Sequence, residues 1–177
     1  MTANDRVAIA ALLKTQRWAA LATRDAAGVP LASQVGFGVA PEGAGLLLHL
    51  SRLAAHTRNL EVFPSVSLVI SQGDDGRADP QTLARLSIAA EARLITRDEA
   101  GYRRARACYL ARLPEAEARF GFADFGLYLL VPRGARWVGG FARAQTLRAP
   151  GLGAILSEVS EDSAPARAPV DDRPRVP

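Results

Sequence analysis

The stretch LLLHLSRLAAHTRNLEVFP, Leu46 to Pro64, decides how the rest of the chain is read. Leu46, Leu47 and Leu48, with His49 and Leu50 after them, form an apolar run of strand length. Ser51 ends it, and a helical pattern follows from Leu53 to Val62 until Pro64 punctuates it. A second β-rich run, Val66 to Ile70, begins at once. A polar elbow carrying Ser51, Arg52, His56, Thr57, Arg58 and Asn59 therefore lies between a buried strand and a helix. Free N–H groups and the positive end of the helix dipole, beside hydroxyls and a guanidinium, favour a phosphate. The same residues also read as an ordinary solvated helix flank, and both readings stand at this point.

Upstream, Thr2 or Asn4 can cap a first helix whose apolar face, Val7 to Leu13, runs to Thr15. Trp18 to Thr23 and Pro30 to Val39 read as strands around a turn cluster at residues 24–28. In the second strand Ser33, Val35 and Phe37 alternate with Gln34, Gly36 and Gly38. The glycine face admits another backbone or a flat ligand, or marks a bend. Downstream, Gln72 to Pro80 is a loop and Leu83 to Thr96 a long alternating strand. Thr96 and Glu99 have capping-box spacing and predict a helix from there to Leu113. Pro114 opens a short helix to Phe120, and two strands, Gly126 to Val131 and Arg133 to Val138, flank Pro132. From Pro150 the composition turns rich in proline and acidic residues, so residues 150–177 read as a flexible tail with room for a short helix at Leu152 to Val159. Residues 1–149 form the expected domain, an α+β barrel-like unit of mainly antiparallel strands with flanking helices.

Composition removes several classes. Lys14 is the one lysine among 22 basic residues, which leaves 21 arginines spread along the whole chain with few aromatics beside them. That spread does not match a nucleic-acid footprint. One cysteine, Cys108, permits no internal disulfide, and with two histidines no metal site is expected. No apolar run approaches the length of a membrane span and the N-terminus lacks a leader pattern, so a cytoplasmic chain with no membrane partner is expected. There is no glycine-rich phosphate loop, no G-x-S-x-G elbow and no evident nucleophile. The catalytic residues are unknown at this level.

HLSRLAAHTRNL followed by P-x-V-S-L is similar to the central motif of the pyridoxamine-phosphate-oxidase-like FMN-binding split barrels. More narrowly it resembles their haem-utilisation, HugZ-like branch. Asp79-Pro80 with Arg85-Leu86-Ser87-Ile88, Phe122 to Tyr128, and Trp137-Val138-Gly139-Gly140-Phe141 match the same branch in order, over roughly Ala8 to Leu147. The resemblance implies a split β-barrel, FMN as cofactor and a homodimer with flavin sites at the interface. It puts Ser33, Gln34 and Val35 along the ring edge, His49, Leu50 and Ser51 beside the ribityl chain, and His56, Thr57 and Arg58 at the phosphate. Arg85, Trp137 and Arg143 match positions contributed by the second subunit. A flavin supplies its own redox chemistry, which suits a chain without a nucleophile. An FMN-dependent oxidoreductase of unknown small-molecule substrate is the first expectation, with a haem-binding or haem-degrading protein and a non-catalytic flavin module as alternatives. After Gly140 the chain reads FARAQTLRAP, without the substrate-gripping histidine of the true oxidases. No histidine follows His56, so the haem-ligating histidine of the HugZ-like relatives has no counterpart.

Overall fold

The computed structural model describes residues 1–140 and 143–163; Phe141 of the last motif and residues 164–177 of the expected tail lie outside them. In chain order the elements are α1 (Ala3–Thr15), β1 (Trp18–Arg24), β2 (Pro30–Val39), β3 (Leu46–Ser51), α2 (Ala55–Val62), β4 (Ser65–Ser71), β5 (Arg85–Ile95), α3 (Tyr102–Arg112), β6 (Phe125–Val138), β7 (Ala144–Arg148) and α4 (Ala149–Ser163). All strand pairs are antiparallel, in the order β3-β2-β1-β4-β5-β6-β7, and β3 also pairs with β6. Six strands thus close a barrel and β7 extends it, the α+β split barrel that the sequence implied.

The split is local. Pairing of β6 with β3 ends at Leu130 opposite Leu46, and pairing with β7 begins at Gly134 opposite Arg148. Between them Pro132 faces Ala90 while Gly134 faces Ala89, so Arg133 is an extra residue on β6. A bulge tolerates a proline because no ladder hydrogen bond is asked of it. The two strands expected around Pro132 are therefore one strand of 14 residues.

The leucine run of β3 is explained by two cores. Leu46, Leu48 and Leu50 point into the barrel, and Leu47 points outward with Leu127 and Leu129 into a second cluster under α3. The strand is apolar on both sides because both sides are covered. The glycine face of β2 is covered too. A Cβ at Gly38 would lie 3.4 Å from the Tyr109 Cα, and one at Gly36 3.0 Å from Leu113. Helix α3 of the same chain is the backbone that approaches there.

Thr2 caps α1 through a reciprocal box with Asp5. The expected box at Thr96 does not form. Glu99 is held by Arg93 at 3.0 Å instead of reaching back to the Thr96 N–H, and α3 begins only at Tyr102. The expected alternation of the long strand also breaks at its end, where Leu94 is 39% exposed and Ile95 enters the second core. At the C-terminus the expected tail is in part a core helix. Leu152, Ile155, Leu156 and Val159 of α4 are each buried to 1% exposure or less among the barrel residues.

Candidate functional site

Two surfaces are candidates for a ligand site. The first is the elbow after β3. Ser51 Oγ donates to Asp124 Oδ2 at 2.6 Å and accepts from the Leu53 N–H at 3.2 Å. The Arg52 N–H donates to the Asp124 carbonyl at 2.7 Å, and Arg52 Nε donates to Glu61 Oε1 at 3.1 Å. The same Glu61 oxygen accepts from the Tyr128 hydroxyl at 2.8 Å, and burial with that carboxylate pushes the tyrosine's ionisation up. Arg58 donates to the Leu53 carbonyl, and Asn59 to Thr23 Oγ1 at 3.2 Å. Ser51, Arg52, Arg58 and Asn59 are thus engaged by Asp124, Glu61, Thr23 and the backbone. Helix α2 starts without a side-chain cap at Ala54; the N–H groups of Thr57 and Arg58 bond the Ala54 carbonyl at 3.2 Å. Those of Ala55 and His56 have no partner among the described residues. Thr57 is fully buried with its hydroxyl unpartnered among the described residues, and partial burial lowers the His56 pKa, favouring the neutral imidazole.

Several predicted residues turn their side chains elsewhere. Strand parity sends Val35 and Leu50 into the barrel core, so only their backbones could touch a ligand. His49 points into the second core. Its ring stacks on Phe120 at a centroid distance of 3.7 Å, with Tyr109 and Phe125 around it. Burial, and then Arg119, Arg97 and Arg106, hold its pKa at about 4, and Nδ1 has no partner among the described residues. Trp137 is 1% exposed and donates to Asp5 Oδ1 at 3.3 Å, where Arg143 also donates at 2.8 Å. The structure brings those two together, on the carboxylate of their own chain's α1. The Thr2 hydroxyl and N–H above all, then Gln145 and Trp137, keep Asp5 ionised far below the usual carboxylate range. Arg85 donates to the carbonyls of Gln81 and Leu83.

The second surface was not legible as a unit. Cross-strand register aligns Ala32, Ala22, Ser67, Ala89 and Gly134 in one row across five strands, ending at Arg148 on β7. The neighbouring row is Gln34, Ala20, Val69, Ser87 and Arg136. These residues alternate with the buried ones, so they form the outside of the barrel. The result is a shelf with short side chains, with the half-exposed Trp18 two positions along β1 and arginines at the other edge. Arg136 and Arg148 have no carboxylate partner among the described residues. The signal was present as small residues at every second position, Ala20 and Ala22, then Ser65 and Ser67, then Ser87 and Ala89. Of the predicted residues only Gln34 lies in these two rows.

A closed antiparallel barrel split at one bulge, with an uncapped helix after its third strand and a flat outer shelf, defines the class of FMN-type split barrels. The chain belongs to the pyridoxamine 5'-phosphate oxidase family, whose model matches residues 6–135. Within it the chain falls in the HugZ-like branch. It is 33% identical over 132 residues to the haem oxygenase HutZ of Vibrio cholerae, covering 70% of each chain. It is 34% identical over 118 residues to the non-canonical haem oxygenase HOZ of Arabidopsis thaliana, covering 66% of this chain and only 34% of that protein. Among solved structures, a haem-binding protein from Mycobacterium smegmatis superposes with a TM-score of 0.77 at 27% identity, over 87% of this chain and 62% of that one. The chain thus spans about a third of the plant relative's length. Among the described residues no helix is long and apolar enough to cross a membrane.

Proposed function

We propose that this protein binds haem on the outer shelf of the barrel, between two copies of the chain. The observation that carries the reading is the shelf itself. A flat macrocycle needs a surface without long side chains, and Ala22, Ser67, Ala89 and Gly134 supply one across adjacent strands. Two propionates need cations free to pair, and Arg136 and Arg148 stand at its edge. His49 is walled in by aromatics and His56 belongs to the elbow at the start of α2, so neither imidazole stands in the shelf rows. Bound haem supplies the iron chemistry; the chain's residues hold it, orient it and exclude water. One macrocycle face on the shelf leaves the other open, and a second copy about a twofold axis covers it. The relatives named for haem favour this over the FMN reading that the sequence put first.

Titration of the purified chain with hemin, followed by Soret absorbance and by sizing, tests the proposal. Ala89→Trp places a large ring on the shelf and is expected to abolish the Soret change while the melting temperature holds. Arg136→Ala with Arg148→Ala is expected to weaken hemin about tenfold or more. If Ala89→Trp binds hemin like the unmodified chain, the shelf is not the site.

FMN is the second reading, favoured by the unpartnered N–H groups of Ala55 and His56 at the start of α2. On that reading Arg58 leaves the Leu53 carbonyl for the phosphate, and Arg58→Ala weakens FMN by roughly ten- to a hundredfold. Equal affinity for riboflavin and FMN argues against it.

A further inference from the structure

A cavity unrelated to the shelf lies on the helical side of the barrel. It encloses about 200 Å³ between α1, β2, α3 and α4. Leu13, Phe37, Val39 and Val159 give it apolar walls, and Lys14 and Arg112 are its charged lining residues. Among the described residues no acidic one lines it. Lys14 pairs outward with Asp162 at 2.5 Å. Arg112 donates to the Gln16 carbonyl at 2.6 Å but has no carboxylate partner among the described residues. Burial, with Arg17 nearby, lowers the Arg112 pKa, the mark of a positive charge without compensation. An apolar chamber with one unmatched guanidinium is complementary to an anionic head on a hydrocarbon body. Its volume lies below that of pockets for drug-sized ligands, so the body is short.

We propose that this cavity binds a small amphipathic monocarboxylate, its carboxylate on Arg112 and its hydrocarbon chain against Leu13, Phe37, Val39 and Val159. Cys108 also lines the chamber and is the chain's single cysteine, so its alkylation reports occupancy without ambiguity. Burial raises the thiol's pKa, so labelling of the free chain is slow and occupancy slows it further.

The test uses the full chain with octanoate as probe and 1-octanol as its uncharged analogue. Octanoate is expected to raise the melting temperature and to slow maleimide labelling of Cys108; octanol at the same concentration is expected to do neither. Arg112→Gln should weaken octanoate by about ten- to a hundredfold while leaving hemin binding unchanged. Ala111→Trp, at the exposed lip, should abolish the octanoate effect. Equal responses to octanoate and octanol overturn the proposal, as does undiminished octanoate affinity in Arg112→Gln. Unprotected Cys108 at saturating octanoate places the ligand elsewhere and also overturns it. Loss of hemin binding alone leaves each of these outcomes readable.

Discussion

Replacing His49 by phenylalanine tests whether the second core holds a neutral imidazole at an energetic cost. The ring is 8% exposed, stacked on Phe120, and its pKa sits at about 4 rather than 6.5. The unfolded chain takes up a proton near pH 6.5 and the folded chain does not until about pH 4. Stability is therefore intact above pH 6.5, falls as the pH drops through that value, and levels off below about 4. The full difference is about 3 kcal/mol, of which roughly 2 kcal/mol is lost between pH 7.5 and pH 5. For a chain of this size that corresponds to roughly 4–8 °C in melting temperature. Phenylalanine keeps the stack, removes the unpartnered Nδ1 and cannot titrate. Urea midpoints at several pH values between 7.5 and 5 are the assay. The unmodified chain should lose about 2 kcal/mol more than His49→Phe over that range. His56 titrates in both proteins and cancels from the difference. Parallel pH profiles for the two proteins refute the assignment of a buried neutral histidine.

Two stability predictions concern the frame. Leu156→Ala, in a helix that the sequence reading put within a tail, should cost about 2–5 kcal/mol, seen as a lower urea midpoint with unchanged slope. Gly45→Ala should destabilise by about 2–4 kcal/mol in the same measurement, because Gly45 has φ +152° and a Cβ there would lie 2.1 Å from the Leu130 carbonyl oxygen.

The elements that local pattern specifies were legible. Pro30–Val39 is a strand with the bounds its alternation and flanking turn imply, and Thr2, one of the two caps the sequence offered, caps α1. Their signals come from residues one to four positions apart, the range over which side-chain parity and helix caps act. The phosphate-like elbow was legible as a set of residue types but not as a set of bonds. Ser51 and Arg52 meet Asp124, 73 positions beyond Ser51, so nothing near the elbow announces that its polar groups are engaged.

What the chain determined by itself is therefore the alternation of its strands, the caps and breaks between them, and a motif order that resembles one family. The tertiary structure alone decided which faces are covered. Arg93 takes Glu99 and delays α3, the bulge at Arg133 keeps Pro132 within one strand, and α3 fills the glycine face of β2. It also decided the shelf, since Ala22, Ser67, Ala89 and Gly134 become neighbours only through the register of four strands. Pairing across distant strands depends on closing the barrel as a whole, and no local window of sequence contains that constraint.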